Sequence, residues 1–273
     1  MKRRVWIIGP VAIDRVLYLD QLPIQGSFTR PSRIVERIGG SSGNVALALA
    51  ETGVETGFIS YIGNDQAGEK ISQRFAESKV KNLSLQRIEG ESNSALVMVD
   101  KSGDRTIVAL SDSHLSALSI SGIEFQESDI VVFSLWRPFF RAHLEAVQKL
   151  GCITVVGLEA LQDPEVAGAD YAIGSEAELG GEDPQSHHAR FSTIVITRGA
   201  AGTDQFQSGL QIHQPALAAE VVDTTGAGDS FLAGYLSILA RGEVDLRLAL
   251  HFGARWAAQT IASEGSEPTP PPL

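Results

Sequence analysis

One stretch near the C-terminal end of the chain carries most of the information about fold and chemistry. It reads Val221-Val222-Asp223-Thr224-Thr225-Gly226-Ala227-Gly228-Asp229-Ser230-Phe231. Two apolar residues end a predicted strand, a turn of small residues follows, and a predicted helix begins. Gly226 and Gly228 let backbone amides approach a ligand closely, and amides at a helix N-terminus favour anions. The pattern therefore predicts an anion hole in this turn.

Asp229 lies in the first turn of that predicted helix. The helix dipole stabilises an acid at this position, so a purely structural role is one interpretation. The other interpretation is catalytic. A kinase needs a carboxylate beside an anion-binding turn, because the carboxylate takes a proton from the attacking hydroxyl while the amides stabilise the transferred phosphoryl group.

The rest of the chain alternates short, β-branched apolar runs with helix-length segments, a pattern typical of a parallel sheet with crossover helices. The predicted strands are residues 5–8, 57–62, 130–134, 153–156, 171–173 and 193–197. The predicted helices are residues 44–51, 66–78, 139–150, 227–241 and 246–262. Open α/β sheets often reach this length around one core, so residues 1–273 are predicted to form one domain.

Two segments interrupt this alternation, at residues 15–37 and 94–110. Both have the pattern of alternating strands joined by turns. The second contains a hairpin, with strands at 95–99 and 106–109 and Gly103 in the turn. We expect the two segments to form a small separate sheet above the main one. Ordinary edge strands of the main sheet are the alternative.

A second glycine-rich stretch precedes a predicted helix of small residues. It reads Gly39-Gly40-Ser41-Ser42-Gly43-Asn44-Val45-Ala46, and Gly63-Asn64-Asp65 and Gly68 follow further along the chain. The glycine pair again offers backbone donors and close approach. Asn44 at the helix start can face a ligand or cap the helix. The stretch predicts a site for anions or hydroxyl groups.

The two stretches resemble the two signature motifs of the PfkB, or ribokinase-like, family of carbohydrate kinases, in family order and spacing. The C-terminal stretch is similar to DTxGAGD at every fixed position, and the N-terminal one to GGxxxN followed by GxDxxG. The resemblance spans residues 9–268. It implies a three-layer α/β/α fold with a mostly parallel sheet and a small β-lid. It also implies transfer of the γ-phosphoryl group of ATP, with Mg²⁺, to a primary hydroxyl of a sugar or sugar derivative.

The same resemblance implies roles for individual residues. The catalytic base would be Asp229, and the anion hole would be formed by Gly226, Ala227 and Gly228. The acceptor-binding residues would be Asp14, Gly39, Gly40 and Asn44. The nucleotide-side residues would be Thr197, Gly199, Gly202, Asp223 and Thr225. The last two of these also lie near a candidate K⁺ site. Asp14 follows the first strand, at the carboxyl edge of the sheet where ligands of open α/β folds bind.

The sequence departs from the family pattern at Ser175-Glu176-Ala177-Glu178, where Asn-x-x-Glu is usual near the Mg²⁺ and phosphates. Glu178 is retained as an indirect contact to the metal. Because Ser175 replaces the usual Asn, the way in which the metal or the phosphates are bound here stays open. A non-catalytic sugar- or nucleotide-binding regulator is therefore one alternative function. A nucleoside or vitamin-precursor kinase of the same superfamily is another, because only the acceptor pocket would differ.

Arg137 follows a predicted central strand, where several sugar kinases of the resembled family place specificity residues. An arginine there can bind a carboxylate, phosphate or sulfonate of the substrate by bidentate contact. A surface salt bridge is the alternative interpretation.

Composition narrows the classes of partner. A formal net charge of −11 argues against broad nucleic-acid binding, which requires clustered Lys and Arg. No apolar run approaches the roughly 18–20 residues that span a bilayer. Cys152 is the single cysteine, which fits a reducing cytoplasm. The expected partners are a sugar and ATP, and the resemblance adds the lid as a candidate surface for a homodimer.

Overall fold

The computed structural model of the protein describes residues 2–102, 105–111, 114–242, 245–263 and 269–272. Gly103 of the predicted hairpin turn and residue 268 at the end of the family resemblance lie outside the described residues. The strands are β1 (Val5–Ile8), β2 (Ala12–Tyr18), β3 (Arg33–Gly39), β4 (Thr56–Ile62), β5 (Asn82–Arg87), β6 (Asn93–Val99), β7 (Arg105–Ala109), β8 (Ile130–Phe133), β9 (Ile153–Val156), β10 (Ala169–Ser175), β11 (Phe191–Thr197), β12 (Thr203–Gln207) and β13 (Leu210–Gln214). The α-helices are α1 (Ser41–Glu51), α2 (Gln66–Ala76), α3 (Arg141–Lys149), α4 (Ala227–Leu239) and α5 (Leu246–Ile261).

The main sheet has nine strands in the order β13-β12-β11-β10-β9-β8-β1-β4-β5. Neighbouring strands from β5 to β11 run parallel, whereas β12 and β13 extend one edge in antiparallel fashion. Every residue of β1, β4 and β8 is buried. Burial on both faces explains why these strands read as continuous apolar runs rather than as an alternation of apolar and polar residues.

The side chains of the sheet alternate between two hydrophobic cores. Val5 and Ile7 of β1 pack in a core with apolar residues of α1, α2, α4 and α5. Trp6 and Ile8 of the same strand face the other core, which includes the apolar side of α3. This alternation confirms the predicted three-layer arrangement of helices, sheet and helix.

Helices α4 and α5 approach each other closely through glycine. A Cβ atom added to Gly234 would lie 2.9 Å from the Cα of Gly253, and one added to Gly253 would lie 2.8 Å from the carbonyl oxygen of Phe231. Any larger side chain at either position would push the two helices apart. The close approach fixes α4 directly against α5.

The two interrupting segments form a separate sheet of four strands, in the order β3-β2-β6-β7. Strands β2 and β6 pair in parallel, and the predicted hairpin is observed as the antiparallel pair β6 and β7. The small sheet is therefore not an edge of the main one, and the edge-strand alternative is wrong. We call this sheet the lid.

The structure also differs from the predicted elements. Strands β5, β12 and β13 were not predicted, because each has exposed or partly exposed positions and lacks a continuous apolar run. The helix predicted at 139–150 is shorter at its start, because Pro138 opens a 3₁₀ turn, Pro138–Phe140, before α3. Among the residues described, no helix is both long and apolar enough to cross a bilayer.

Candidate active site

A cavity of about 670 Å³ opens where the lid meets the carboxyl ends of strands β10 and β11. Most of the predicted site residues line it. They are Asp14, Gly40, Asn44, Glu178, Thr197, Gly199, Gly202, Thr225, Gly226, Ala227, Gly228 and Asp229. Three predicted residues lie outside the lining, namely Gly39, Arg137 and Asp223.

Asp229 is held by two side chains of α1. The hydroxyl of Ser41 donates to Oδ1 at 2.7 Å, and the side-chain amide of Asn44 donates to Oδ2 at 2.8 Å. Burial raises the pKa of Asp229 above its usual range, while these two hydrogen bonds and the positive charge of Arg105 oppose the rise. A raised pKa makes the carboxylate a stronger base than a free aspartate.

Asn44 does not cap its helix. Helix α1 begins at Ser41, its N-cap is Gly40 at φ 80°, and no side chain caps it. A Cβ atom at Gly40 would lie 2.9 Å from the Pro10 carbonyl oxygen, so both the backbone angle and the space require glycine. The capping interpretation of Asn44 is wrong, and its side chain orients Asp229 instead.

The turn before α4 has the geometry of an anion site. Gly226 is its N-cap in the left-handed region, at φ 78°. The amide of Ser230 donates to the Gly226 carbonyl at 2.8 Å, which leaves the amides of Gly228 and Asp229 without an acceptor inside the helix. A Cβ atom at Gly228 would meet no protein atom within 4 Å. The space beside these amides can therefore accept a phosphoryl oxygen.

Asp14 lies on β2 of the lid and is paired with Arg37 of β3. Burial raises the pKa of Asp14 from 3.8 to about 6; the Arg37 charge opposes this rise and the Asp229 charge adds to it. A Cβ atom at Gly39 would lie 2.1 Å from the Asp14 carboxyl carbon. Gly39 is outside the cavity lining and makes room for the Asp14 side chain.

Asp223 is fully buried behind the glycine turn. Its Oδ1 accepts a hydrogen bond from the Thr225 amide at 2.8 Å, and its Oδ2 lies 3.5 Å from Nη1 of Arg37. The carboxylate therefore shapes the turn and joins it to the lid. Thr225 Oγ1 is also buried, with no hydrogen-bond partner among the described residues.

Glu178 and Ser175 form a reciprocal cap at the end of β10. The Ser175 hydroxyl donates to Oε1 of Glu178 at 3.0 Å, and the Ser175 amide donates to Oε2 at 3.3 Å. Burial raises the pKa of Glu178, and the negative charges of Glu159 and Asp229 raise it further. Ser175 thus contacts Glu178 directly, without an intervening water.

The environment of Glu178 fits a nearby Mg²⁺. No ion pair involves its carboxylate among the described residues, so a cation would offset an unfavourable buried charge. No group of three or more His, Cys, Asp or Glu in the described parts of the chain could hold a metal by itself. Mg²⁺ is usually held by one or two carboxylates completed by substrate phosphates and water, and the carboxylate of Glu178 is a ligand of that kind.

Arg137 does not line the cavity. Its Nη1 donates to the Trp136 carbonyl at 2.6 Å and lies 3.4 Å from Oε1 of Glu159, and its side chain is 45% exposed. The observed contacts match the salt-bridge interpretation. Its role as a specificity residue stays a prediction.

The part of the cavity next to α5 has a polar floor and an apolar wall. Thr197 at the end of β11 and the glycines at 199 and 202 form part of the floor. The wall is one face of α5, at the i, i+3, i+4 and i+7 positions Ala254, Ala257, Ala258 and Ile261. Small apolar side chains leave a flat surface that suits a purine ring.

Three residues of the site were missed by sequence reasoning. Ser41 was part of a recognised motif, but its bond to Asp229 depends on the packing of α1 against α4. Arg37 and Arg105 lie on lid strands, where only the strand register shows which side chains face the site. The available signal was weak, namely a basic residue within each predicted lid segment.

Comparisons with known proteins identify the family and the fold. The sequence profile described as pfkB family carbohydrate kinase matches residues 2–272. Ribokinase from Haemophilus influenzae is 27% identical over 295 residues, covering 99% of this chain and 96% of the relative. Fructosamine kinase FrlD from Bacillus subtilis is 28% identical over 247 residues, covering 84% and 85%. The structure of a nucleoside kinase from Burkholderia thailandensis in complex with inosine has a TM-score of 0.83 at 18% identity, covering 98% and 94%.

The raised pKa of Asp14 makes stability depend on pH. Between pH 3.8 and about 6 the carboxyl group is ionised in the unfolded chain and protonated in the folded one, so its ionisation destabilises the fold as pH rises through this window. We expect Asp14→Asn to remove this cost. We compare the free energy of unfolding of the variant with that of the unmodified protein at each pH. The gain of the variant over the unmodified protein should be about 1–3 kcal/mol larger at pH 7 than at pH 4.

Urea unfolding without ligands at both pH values measures this difference. Asp20→Asn is the matched control, because the Asp20 side chain is 79% exposed. A gain that is the same at pH 4 and pH 7, or equal in both variants, would contradict the assigned ionisation of Asp14.

Proposed function

The chain belongs to the pfkB family of carbohydrate kinases, and on that premise we propose how its residues transfer the γ-phosphoryl group of ATP to a primary hydroxyl of a sugar or sugar derivative. One observation carries the proposal. Asp229, whose pKa is raised by burial, sits beside the glycine turn of α4 and within the same cavity as Asp14. A base, an anion hole and a hydroxyl acceptor then surround one reaction centre.

We assign the acceptor side to Asp14, Gly40 and Asn44. The Asp14 carboxylate accepts hydrogen bonds from substrate hydroxyls, while Asn44 holds Asp229 and leaves its own Oδ1 buried without a partner among the described residues. That orphaned oxygen can accept a further hydrogen bond from the sugar. Gly39 contributes by making room for Asp14.

Asp229 acts as the general base in this mechanism. It takes the proton of the attacking hydroxyl, whose oxygen forms a bond to the γ-phosphorus as the bond to the ADP oxygen breaks. ADP leaves with the bonding electron pair. In the anion hole proposed at residues 226–228, the amide of Gly228 and that of the adjacent Asp229, which have no acceptor inside the helix, stabilise the charge on the transferred phosphoryl oxygens.

The nucleotide side is assigned to Thr197, Gly199, Gly202, Asp223 and Thr225. The first three border the polar floor of the cavity, and the apolar face of α5 supports the adenine. Thr225 orders the glycine turn through the hydrogen bond that its backbone amide donates to the carboxylate of the buried Asp223. Asp223 therefore acts from behind the turn, without lining the cavity.

We propose that Mg²⁺ accompanies ATP and is held in part through Glu178. When bound, the ion neutralises phosphate charge and polarises the group being transferred. A K⁺ site near Asp223 and Thr225 is also proposed, supported by the unpartnered Thr225 Oγ1. The positive charge of Arg37, which lies beside Asp223, would weaken the binding of K⁺ at this site. Chelation with EDTA and replacement of K⁺ by Na⁺ are therefore separate arms of the activity assay.

A nucleoside is the second candidate acceptor. Ala95 and Ile107 of the lid line the cavity with apolar surface, which suits an acceptor that carries a base or another flat apolar group. Arg137 is retained as a proposed contact for an anionic acceptor. Measuring ADP release with pentoses, ketohexoses, ketosugar derivatives, sugar acids and nucleosides separates these classes.

We further propose that residues 1–273 form one kinase domain with lid segments at about 15–37 and 94–110, and that it works in the cytoplasm, where ATP is supplied. The single cysteine is compatible with that compartment. Burial raises the pKa of the Cys152 thiol to about 11, so it stays protonated and unreactive near neutral pH.

Asp229→Asn tests the catalytic base. The change preserves side-chain shape but removes the proton acceptor, so we expect kcat to fall by at least roughly 10²–10⁴ while ATP and acceptor affinities stay within several-fold. In the unmodified enzyme, kcat/KM should decline toward acid pH with a midpoint above that of a free aspartate, because burial raises the pKa of Asp229. Near-normal turnover by the variant would disprove the assignment.

Gly228→Val tests the anion hole. A side chain at Gly228 meets no protein atom, so the fold should tolerate it, while the branched Cβ would block phosphate from the amides. We expect a circular dichroism spectrum like that of the unmodified protein and a loss of phosphoryl transfer of at least about tenfold. Gly181→Ala is a stringent control for the effect of losing a glycine, because the added Cβ meets no protein atom there but the φ of 86° makes the change more strained than at Gly228. Full activity of the Gly228 variant would contradict the assigned hole.

We propose that two copies associate through the outer face of the lid. Ile34 on β3 and Val108 on β7 are 58% and 43% exposed, and both point away from the face that carries Asp14. The double variant Ile34→Lys/Val108→Lys should be monomeric in sedimentation equilibrium, whereas the unmodified protein should sediment as a dimer. A monomeric unmodified protein at micromolar concentration would refute this association.

A further inference from the structure

The charges around the cavity are unbalanced for a polyanionic ligand. Three carboxylates line it, those of Asp14, Glu178 and Asp229. Among the described residues of the lining, Arg105 is the only Lys or Arg. A triphosphate entering this cavity therefore meets one basic side chain and three acidic ones. That side chain belongs to the lid rather than to either glycine turn.

Arg105 reaches from the lid to the anion hole. It begins β7, and Ile107, two residues further along the same strand, also lines the cavity, so both side chains belong to the cavity face of the lid. Nη1 of Arg105 donates to the Thr224 hydroxyl at 3.2 Å. Thr224 stands two residues before Gly226, the N-cap of α4. The guanidinium group is therefore beside the turn that holds Asp229.

The register of the lid separates Arg105 from the acceptor side. Asp14 pairs with Ala95, and Ala95 pairs with Ala109 on β7. Arg105 lies four residues from Ala109 along that strand, or about 13 Å at the rise of a β-strand. One end of the lid thus carries the hydroxyl acceptor, and the other carries the cation at the anion hole.

We propose that Arg105 is a positioning and charge-stabilising residue that binds the γ-phosphoryl group of ATP from the lid. This inference rests on the proposed kinase function and extends it to a residue outside the signature motifs. As the acceptor oxygen attacks and the bond to ADP breaks, the guanidinium donates hydrogen bonds to the γ-phosphoryl oxygens. Its fixed positive charge and planar fork suit this role better than an ammonium group does.

The proposal explains why phosphoryl transfer would require a closed lid. The cation reaches the anion hole only when β7 lies over the turn, and the Thr224 contact marks that arrangement. Lid closure then excludes water from the γ-phosphoryl group at the moment when its charge is stabilised, which limits ATP hydrolysis.

Nucleotide binding tests the inference without any acceptor. The measurement is calorimetric titration of AMP-PNP with Mg²⁺, and of ADP with Mg²⁺, into Arg105→Gln. The affinity for AMP-PNP, the triphosphate analogue, should fall by roughly 10- to 150-fold relative to the unmodified protein, as expected for the loss of a charged hydrogen bond. Affinity for ADP should stay within threefold, because ADP lacks the γ-phosphoryl group. Arg105→Lys should recover part of the AMP-PNP affinity.

Arg15→Gln is the matched control. Arg15 is an exposed lid arginine on β2, on the opposite face from the adjacent Asp14, so its loss should leave both affinities unchanged. Equal losses for ADP and AMP-PNP in Arg105→Gln, or no loss for either, would overturn the inference. So would a selective rise in the KM of the acceptor with unchanged AMP-PNP binding, because Arg105 would then serve the acceptor.

The pH profile supplies a second readout that a merely structural role would not move. The positive charge of Arg105 lowers the pKa of Asp229, so its removal should shift the acid limb of kcat/KM to higher pH. If the acid limb of kcat/KM in Arg105→Gln lies at the same pH as in the unmodified protein, the assigned position of the guanidinium group is contradicted. If the unmodified protein releases no ADP with any acceptor in the panel, the proposed function fails. If Arg105→Gln keeps full kinase activity and undiminished AMP-PNP binding, this inference alone is overturned.

Discussion

The active site depends on the pair of hydrogen bonds that Ser41 and Asn44 donate to the Asp229 carboxylate. These bonds span 188 and 185 residues of sequence and join the first turns of α1 and α4. Each helix has a glycine with positive φ as its N-cap, and the first turns of both helices line one cavity. The bonds favour the ionised carboxylate while burial opposes it. Asp229 is thereby fixed in place and kept basic.

The cavity concentrates negative charge at a cost to stability. Burial raises the pKa of Asp14, Glu178 and Asp229, which means that the folded protein disfavours the charged form of each. Substrate hydroxyls and a metal ion would relieve part of this cost on binding. The site is therefore better matched to its ligands than to water, as expected where function competes with stability.

Local sequence chemistry predicted the parts of the site that are local. The turn at 223–229 needs glycine for its backbone angles, and its small residues are visible without knowledge of the fold. The parallel sheet with crossover helices followed from the alternation of apolar runs and helical segments, and the three-layer arrangement followed from the family resemblance. In contrast, Arg37 and Arg105 face the site only because of the register of the lid, which a sequence read alone does not reveal. Ser175 shows a related limit, because its direct bond to Glu178 depends on the cap geometry at the end of β10.

The lid is joined to the catalytic turn at both of its outer strands. Arg37 of β3 approaches the buried Asp223 before the turn, and Arg105 of β7 contacts Thr224 next to it. Asp14 of β2 lies between these strands and presents its carboxylate to the cavity. A movement of the small sheet would therefore shift the Asp14 carboxylate and both arginines together. Because Asp223 also holds the Thr225 amide, the same movement would act on the anion hole itself. In the proposed function, acceptor binding and phosphoryl stabilisation would therefore be linked through one four-stranded sheet.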